Sequence, residues 1–488
     1  MRTARFLIVL SLWSIAAFAV GPKYKKPDVA VPQAWLSPVP WQAANPVDGL
    51  PKDAWWKIFG DSELDQYETR AIENNQTLKS ATARLAQARA FARVTSSGLY
   101  PELDGGVSAQ RQRLSANRAT NGAQIVPTAV TQSVFNIPFT LNYEIDLFGR
   151  VRRSLEAANA SLQASATDLE NVRLLITSEL AADYFQLREL DSEIAVIQKA
   201  IDFQKEGLQL VNHRHQGGAV SGLDVAQQQT VLDSSYTQIA LLQQQRAQFE
   251  HAVAALQGLP APQFKAPVRP LDAHPPNIPV GLPSELLQRR PDIATAERQV
   301  AAANAQIGVA KSAFYPSISL GGSGGLQSSD LTKLLDGPSA IWSVGLSALE
   351  PLFTGGRNRA RLEGTKAAYD SSVADYRETT LVAFQQVEDA LSGLNTLTTA
   401  SDSQQRAVAD ADLSLQLANA RYTGGLVTYL DVITAQEQVL SNERLAAQIQ
   451  GQRLVTSVLL VKALGGGWDN ASIAAVAVRP GRKQALQQ

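Results

Sequence analysis

Apolar and polar residues alternate without interruption between Phe135 and Leu147. In the run FNIPFTLNYEIDL every odd-numbered position is apolar, and every even-numbered position is polar or proline. Because side chains on a β-strand point alternately to opposite faces, the run predicts one long strand with an oily face and a wet face. The strand is long enough to cross a bilayer at a tilt, although the pattern by itself favours a strand of a soluble sheet. The same alternation returns at Trp342, Val344 and Leu346.

Much of the remaining chain is rich in Ala, Gln and Leu, with apolar residues at helical spacing. This pattern predicts helices at about residues 61–97, 150–212, 223–257, 284–313, 357–420 and 431–464. Each of the two longest would span about 90 Å. The two shorter helices of each half add up to about the same length, so a stacked pair could lie beside one long helix.

The chain contains two copies of one structural plan. Tyr100-Pro101 recurs as Tyr315-Pro316 at an offset of 215, and RHQGGAVSGLDV recurs as RYTGGLVTYLDV at an offset of 207. An offset that holds over roughly 110 residues indicates an internal repeat. The predicted fold class is therefore mainly α, and each copy contains a helix, a β-hairpin, a long helix, a turn and a helix.

This plan divides the chain into six segments. They are a signal peptide (1–19), an extended strap rich in Pro and Trp (20–60), a first repeat (61–258) with strands at about 102–148 and a tip turn at about 213–223, a Pro-rich linker (259–283), a second repeat (284–466) with strands at about 316–353 and a tip turn at about 420–430, and a C-terminal tail (467–488). Early arginines, an apolar core and Ala17-Phe18-Ala19 predict export, with cleavage after Ala19. We expect the mature protein to begin at Val20.

Composition excludes several classes of function. The chain has 44 basic and 45 acidic residues, so it lacks the excess of basic residues that would suggest nucleic-acid binding. It has no Cys, which excludes disulfides, thiolate metal sites and Cys nucleophiles. Its four His form no recognised catalytic or metal-binding motif, and we expect His213 and His215 to be solvated turn residues. The sequence predicts no enzyme, cofactor or metal site.

The oily strands need partners that one chain cannot supply. Unpaired strand edges cannot be exposed to hydrocarbon, so strands that enter a membrane must close into a barrel. One chain offers four strands, so two copies would give eight and three copies would give twelve. Because an eight-strand barrel is filled by its own side chains, a passage for solutes favours three copies or more.

Five stretches carry a family resemblance that covers nearly all of the mature chain. They are VGPKYKKP (20–27), WWKIFGDSELD (55–65), DLFGR (146–150), LPSELLQRRPDIATAERQVAAANAQIGVAKSAFYPSISL (282–320) and PLFTGGR (351–357). On these residues the chain resembles the TolC-like outer-membrane efflux channels, specifically the NodT/OprM-type outer-membrane factors of tripartite multidrug pumps. The segment LLQRRPDI, followed by AANAQIG, is the most specific of these matches.

The resemblance implies a homotrimer with a twelve-strand membrane β-barrel in the outer membrane, surrounded by outer-membrane lipid. A long α-helical tube, closed at its far end, would extend into the periplasm, with the Pro-rich linker at its equator. The implied partners are a periplasmic adaptor (a membrane fusion protein) and an inner-membrane transporter of the RND type. Related proteins often carry a lipid on a Cys just before Ala-Val-Gly-Pro. Phe18 stands at that position, so we expect no lipidation.

The resemblance also implies roles for particular residues. The predicted gate residues at the periplasmic mouth are Asp224, Asp431, Tyr422, Arg421, Arg214 and His215. The predicted adaptor contacts on the tip turns are Gly217, Gly218, Gly424, Gly425, Leu426 and Val427. The predicted lipid-facing residues are Phe135, Ile137, Phe139, Leu141, Tyr143, Trp342, Val344 and Leu346. Helix-end chemistry is an alternative explanation for the turns, because Arg suits a helix C-terminus and Asp suits an N-terminus.

Three functions are compatible with these observations. An export duct for a proton-driven drug pump is favoured, because the VGPKYKKP strap is typical of the drug-efflux subfamily. The same fold could instead serve as the exit duct of a type I protein secretion system. A periplasmic coiled-coil adaptor without a barrel is the third function, and the two predicted hairpins argue against it.

Overall fold

The computed structural model describes residues 19–36, 54–116, 129–278, 280–281, 283–468 and 476–477. Five predicted features lie wholly or partly outside these residues. They are the signal peptide up to Phe18, the strap between residues 37 and 53, part of the loop of the first hairpin, two positions of the Pro-rich linker (279 and 282), and nearly all of the C-terminal tail.

The described residues form two repeats with the same order of elements. The first contains α1 (Ser62–Asn74), α2 (Gln76–Ser97), β1 (Glu102–Gly105), β2 (Ser108–Leu114), β3 (Val130–Ile145), α3 (Arg150–Gln216) and α4 (Gly222–Leu256). The second contains α5 (Pro283–Arg289), α6 (Pro291–Ser312), β4 (Ser317–Ser328), β5 (Ala340–Leu349), α7 (Arg357–Thr423) and α8 (Tyr429–Ala463). The long helices α3 and α7 each have 67 residues, about 100 Å. The predicted mainly α, duplicated fold class is confirmed.

Each predicted helix that precedes a hairpin is broken once, which the sequence analysis missed. Asn75 separates α1 from α2, and its side chain accepts a hydrogen bond from the Leu78 amide at 3.1 Å, so it caps α2. Arg290 separates α5 from α6. It precedes Pro291, whose ring disfavours a helical conformation in the residue before it.

The same two residues connect helices that are stacked end to end. The Asn75 side-chain amide donates to the Leu256 carbonyl at 2.9 Å, at the C-terminus of α4. The Arg290 guanidinium donates to the Ala463 carbonyl at 3.0 Å, at the C-terminus of α8. These carbonyls have no partner within their own helices, so each contact supplies the hydrogen bond that a carbonyl at a helix C-terminus otherwise lacks. Thus the C-terminus of α4 meets the N-terminus of α2, and the C-terminus of α8 meets the N-terminus of α6, in the predicted end-to-end arrangement.

The helices form one layer around α3. On the half nearer the sheet, α3 packs against α2 and α6. On the half nearer the tip turns, α3 packs against α4 and α8. The second long helix, α7, packs against α6 and α8 at one side of this layer. Among the described helices, none contains an apolar stretch long enough to span a bilayer.

The strands form one antiparallel sheet in the order β1/β2, β3, β4, β5. Phe139 on β3 pairs with Gly324 on β4, and Gly324 pairs with Trp342 on β5, so these positions share one face. All of the predicted lipid-facing residues lie on this face, namely Phe135, Ile137, Phe139, Leu141, Tyr143, Trp342, Val344 and Leu346. The side chains of β5 are exposed, and Trp342 is 82% exposed.

The opposite face of the sheet consists mostly of polar residues and glycines, with Ile341 and Leu349 as apolar exceptions on β5. The Ser319 and Ser347 hydroxyls are hydrogen-bonded at 3.0 Å across β4 and β5, and those of Ser323 and Ser343 at 2.8 Å. These hydroxyl pairs therefore satisfy part of the hydrogen-bonding capacity of this face.

Pro138 explains why the first strand of the sheet is split. The strands expected at about 102–148 were not expected to contain a break before the hairpin loop, whereas the structure has β1 and β2 with a gap at Gly106. The Gly106 amide still donates to the Pro138 carbonyl at 3.0 Å. Pro138 has no amide hydrogen to return, so the ladder is interrupted there without a change in register.

The strap lies along the helices. The Val20 amide donates to the Phe148 carbonyl at 3.0 Å, just before α3 begins. The Trp35 indole nitrogen donates to the Gly281 carbonyl at 2.9 Å, beside the start of α5. The described part of the strap therefore extends from the edge of the sheet to the middle of the helical layer.

A core with a buried ionic network lies at this middle level, near the linker. The Asp191 carboxylate is fully buried and accepts from Arg188 at 2.9 Å and from Arg246 at 2.5 Å. The Arg269 backbone amide also donates to it, at 3.0 Å. Removing one partner from a buried pair leaves an uncompensated charge, so this network fixes the linker to α3 and α4.

Candidate functional site at the helical tips

The first tip turn joins α3 to α4 through a glycine with positive φ. Gly218 has φ of +75°, a conformation that glycine adopts without strain. Its amide donates to the His215 carbonyl at 2.9 Å, and the Ala219 amide donates to the Arg214 carbonyl at 2.8 Å. This pair of hydrogen bonds is a Schellman motif, which ends α3 abruptly at Gly217.

The second tip turn, from α7 to α8, has the same geometry. Gly425 has φ of +71°, and its amide donates to the Tyr422 carbonyl at 3.1 Å. The Leu426 amide donates to the Arg421 carbonyl at 2.9 Å. The recurring glycine pairs are therefore explained by backbone conformation, and the two turns are structural equivalents.

Both candidate mouth aspartates act as helix caps. Asp224 accepts from the Ser221 amide at 2.9 Å, and Asp431 accepts from the Thr428 amide at 3.0 Å. Each pair forms a capping box at the start of its helix. The Thr428 hydroxyl and amide, with the nearby charge of Arg421, lower the pKa of the exposed Asp431 carboxyl. Helix capping alone thus accounts for both aspartates.

Tyr422 is the residue that joins the two turns. Its side chain is only 9% exposed, and its ring lies 5.1 Å from the ring of Tyr429, at the start of α8. The guanidinium of Arg214, near the end of α3, lies 4.8 Å from the centre of the Tyr422 ring. Val211, Val432 and Ile433 belong to the same buried cluster. Each repeat therefore contributes residues to one packed unit, which we call the tip cluster (Val211, Arg214, Tyr422, Tyr429, Val432).

The sequence analysis missed Tyr429, which lies deepest in the aromatic pair. It is 4% exposed, and burial raises the pKa of its hydroxyl to about 12. A Cβ atom added to Gly207 would lie 2.6 Å from this hydroxyl. Gly207 is the single glycine within α3, and a lone glycine in a helix often marks such a close approach. That signal in the sequence could have identified the contact.

The other predicted tip residues lie on the surface. Arg421 and His215 are exposed, and the His215 Nδ1 atom is 3.0 Å from the Val220 carbonyl oxygen. Gly217, Gly218, Gly424 and Gly425 are exposed, and Val427 is half-buried. Three large apolar side chains are also exposed at the tips, namely Leu223 at 65%, Leu426 at 74% and Leu430 at 51%. The tips therefore present an apolar surface around the two turns.

A group of buried charges lies between α3 and α8, farther from the tips. The Glu193 carboxylate accepts two hydrogen bonds from Arg444, at 3.0 and 2.9 Å. Glu189, one turn away, is 5% exposed and lies against Gly451, where an added Cβ would clash with its side chain. Burial and the nearby charge of Glu193 raise the pKa of Glu189 to about 7, partly offset by a hydrogen bond from Gln186. Its charge therefore changes near neutral pH.

Both repeats match a single family of known proteins. The chain matches the outer membrane efflux protein family over residues 69–259 and 282–466. It is 34% identical over 464 residues to the pyoverdine export outer membrane protein OpmQ of Pseudomonas putida, across 95% of this chain and 97% of the relative. It is 30% identical over 478 residues to the toluene efflux pump outer membrane protein TtgF from another strain of Pseudomonas putida, across 97% and 98% of the two chains. The solved outer-membrane channel OprN superposes with a TM-score of 0.84 at 29% identity, across 92% of this chain and 99% of that one.

Proposed function

The chain belongs to the outer membrane efflux protein family, and from this membership we propose that it is the outer-membrane duct of a tripartite efflux pump. It conducts drugs and other small toxic compounds passively from an inner-membrane transporter to the outside. The observation that carries the proposal is the duplicated plan, with an oily-faced sheet at one end and two packed turns at the other. A conduit of this kind requires no catalytic residues.

The working form in this proposal is a homotrimer. The sheet of one chain ends at β1/β2 on one side and at β5 on the other, and in the described residues neither edge has a further partner. Strand edges cannot stay open in hydrocarbon. Three copies supply twelve strands, enough for a barrel that leaves a passage for solutes. The oily face then contacts outer-membrane lipid, and the mostly polar face lines the passage.

The tips bind a periplasmic adaptor in this proposal. The support is the exposed apolar surface formed by Leu223, Leu426 and Leu430 around the two turns. The adaptor connects the duct to an RND-type inner-membrane transporter. Val427, next to Leu426, packs against the tip cluster, so adaptor binding on this surface would reach Tyr422 and Tyr429 through it.

The mouth of the duct is held narrow by the tip cluster, and Asp224 and Asp431 give it a preference for cations. Three copies of each carboxylate would converge if the tips meet at the trimer axis. Acidic rings of this kind attract cations in other channels. The capping role of the two aspartates is compatible with this second role, because Asp431 remains exposed while it caps α8.

The cargo is selected upstream of the duct. Relatives with about the same identity to this chain are named for pyoverdine export and for toluene efflux. Such different cargo supports selection by the transporter, with the duct acting as a common exit.

Complementation tests the proposal. The chain is expressed with its adaptor and transporter in cells that lack their own efflux ducts, and drug accumulation and resistance are measured. We expect lower accumulation and at least a fourfold rise in the inhibitory concentration of pump substrates. The matched control variant Leu426→Glu should reach the outer membrane in normal amount but lose most of this resistance.

Two results would count against the proposal. Unchanged drug accumulation, with the protein correctly placed in the outer membrane, would contradict a role in drug efflux. Export of a protein substrate through the same duct, without any effect on drugs, would favour the type I secretion alternative.

A further inference from the structure

Both long helices begin with a cluster of arginines. They are Arg150, Arg152 and Arg153 on α3, and Arg357, Arg359 and Arg361 on α7. Neither helix has an acidic residue in its first turn. The positive end of a helix dipole lies at the N-terminus and disfavours basic side chains there, so helix-end chemistry does not account for these arginines. Their charges call for acidic partners or bound anions.

The arginines of the first cluster all have acidic partners in the chain. The three ion pairs are Arg150–Glu144 at 2.7 Å, Arg152–Asp146 at 3.2 Å and Arg153–Glu156 at 2.7 Å. Arg150 holds its partner with two donors, because its Nε and Nη2 atoms donate to the two carboxylate oxygens of Glu144. Such a two-pronged contact gives arginine both strength and specificity for a carboxylate. The first cluster is therefore neutralised within the chain.

The arginines of the second cluster lack the equivalent partners. The offset of 205 that relates the two hairpins places Leu349 at the position of Glu144 and Pro351 at the position of Asp146. The three arginines of α7 are exposed, and none of them has an ion pair with another described residue. The second repeat has thus kept the cations without the two carboxylates.

Two arginines of α7 line a cavity at the junction between sheet and helices. The cavity has a volume of about 430 Å³ and lies between one end of the sheet and the starts of α3 and α7. Its charged lining residues are Arg150, Arg357, Arg361, Glu144 and Asp146. Both carboxylates already pair with arginines of α3, so the charges of Arg357 and Arg361 are left over.

Residues from the mostly polar face of the sheet contribute to this cavity. Among the lining residues, Glu144 lies on that face because it pairs with Ser319, and Leu349 lies on it because it pairs with Ser317. In the proposed duct this face lines the passage. An anion in the passage therefore reaches the two arginines of α7 that line the cavity.

We propose that this cavity binds the anionic groups of small molecules that pass through the duct, with Arg357 and Arg361 as the binding residues. The ligand class is a carboxylate, sulfonate or phosphate. The first repeat shows the binding geometry, because a ligand carboxylate on Arg357 takes the place that Glu144 has beside Arg150. The inference rests on the proposed duct and adds a step in which anionic cargo is held at the base of the barrel.

Three copies of the cavity surround one passage in the proposed homotrimer. Each copy brings two uncompensated guanidinium groups to the same level, and rings of arginine favour anions in other pores. The acidic residues Asp224 and Asp431 lie at the opposite ends of the long helices, about 100 Å away. The cavity and the mouth thus act on charge at different points of the passage.

Dye binding tests the site in detergent-solubilised trimers. The probe is pyranine, a pyrene dye with three sulfonate groups, and its fluorescence anisotropy reports binding. The paired substitution Arg357→Gln and Arg361→Gln should weaken binding at least about tenfold, because it removes two charge-assisted contacts. The matched control is Arg359→Gln, which removes an exposed arginine of the same helix that does not line the cavity. This control should bind the dye like the parent.

Two further variants follow from the comparison of the repeats. Leu349→Glu gives Arg357 the carboxylate that Arg150 has, so it should weaken dye binding severalfold. Glu144→Gln removes the carboxylate that holds Arg150, so it should strengthen dye binding severalfold. General damage to the fold would not produce changes in opposite directions. Equal dye affinity of the parent and all of these variants would overturn the inference.

A lipid headgroup is another source of a phosphate near the base of the barrel. Because the cavity includes the face that lines the passage, phosphatidylglycerol in mixed micelles should displace the dye no more than phosphatidylcholine does. Selective displacement by phosphatidylglycerol would assign the arginines to lipid and overturn the binding of cargo in the passage.

Ion selectivity tests whether the site acts on molecules in the passage. Channels carrying Tyr422→Ser, with both mouth aspartates intact, are compared in planar bilayers with and without the paired substitution Arg357→Gln and Arg361→Gln. The ratio of chloride to potassium permeability should fall at least about twofold with the pair. It should not change with Arg359→Gln. An unchanged ratio with the pair would overturn the placement of the site in the passage.

The outcomes separate this inference from the proposed function. A parent chain that conducts and confers resistance, with a dye affinity that none of the substitutions alters, overturns the anion site and leaves the duct intact. A parent chain that binds the dye through Arg357 and Arg361 but forms no channel overturns the duct and leaves the anion site.

Discussion

The guanidinium of Arg214 lies 4.8 Å from the centre of the Tyr422 ring, so a cation from the first repeat rests on an aromatic ring from the second. A contact of this kind contributes about 0.5–2 kcal/mol, depending on how far it is removed from water. The two tip turns otherwise have equivalent backbones. Because Tyr422 in the second turn occupies the position of His215 in the first, the duplicated turns differ where they touch. The contact between the repeats in the tip cluster is therefore asymmetric, with an arginine from the first turn and a tyrosine from the second.

Gly207→Ala should loosen the tip cluster. The added Cβ would lie 2.6 Å from the Tyr429 hydroxyl, too close for the present packing. We expect amide hydrogen exchange near residues 205–235 and 415–435 to become at least tenfold faster, with little change near Asp191. Gly222→Ala is the matched control, since its Cβ would meet His215 at an ordinary 3.8 Å. Adding Tyr429→Phe to Gly207→Ala should restore much of the protection, and failure of this rescue would show that the hydroxyl contact is not the cause.

Glu189 should make the stability of the protein depend on pH. Its pKa in the folded protein is raised from 4.5 to about 7, so the folded state binds the proton more tightly than the unfolded state. Its contribution to stability is complete below about pH 4.5 and is lost as pH rises through 7. We expect Glu189→Gln to raise the melting temperature in detergent by a few degrees at pH 8 and to have little effect at pH 5.

The control for this prediction is Glu193→Gln, one turn further along α3. It weakens the paired interaction with Arg444 and should lower the melting temperature at both pH values. A Glu189→Gln effect of the same size at pH 5 and pH 8 would contradict the assigned titration.

Leu141→Arg should impair assembly, whereas Asn142→Arg should not. Leu141 pairs with Gly322 on the oily face, and Asn142 pairs with Gly321 on the polar face. A charged residue facing lipid costs roughly 2–4 kcal/mol at the middle of the bilayer, whereas one facing the passage costs far less. We expect the first variant to reduce the yield of heat-modifiable trimer severalfold and the second to leave it near the parent. Similar yields would contradict the assignment of the faces.

Much of the fold could be predicted from the sequence because its signals are local and repeated. Alternation from Phe135 to Leu147 gave the strand faces, and the constant offset between the tip segments gave the duplicated plan. The breaks at Asn75 and Arg290 were missed, because apolar spacing continues across both and only capping and the following proline end the helices. The split between β1 and β2 was missed because its cause lies on the partner strand. Pro138 on β3 has no amide hydrogen to donate across to this point of the first strand.

The tip site was harder to predict because contacts between repeats leave little trace in a single sequence. Asp224 and Asp431 cap the helices that follow the two turns, and their predicted role at the mouth stays a prediction. Tyr429 was missed, since nothing near it in the sequence shows that it packs beside Gly207. The lone glycine in α3 was the only local sign of that approach.

Single-channel conductance across a planar bilayer tests the central claim, that this chain forms an export duct closed by its tip cluster. The parent protein should insert as a stable channel of low conductance. Tyr422→Ser removes the ring that joins the repeats and should raise the conductance severalfold. Tyr422→Phe keeps the ring and loses only a hydroxyl that has no hydrogen-bond partner in the described part of the chain, so it should conduct like the parent. If Tyr422→Ser also conducts like the parent, or if no variant conducts at all, the account of a tip-closed duct is contradicted.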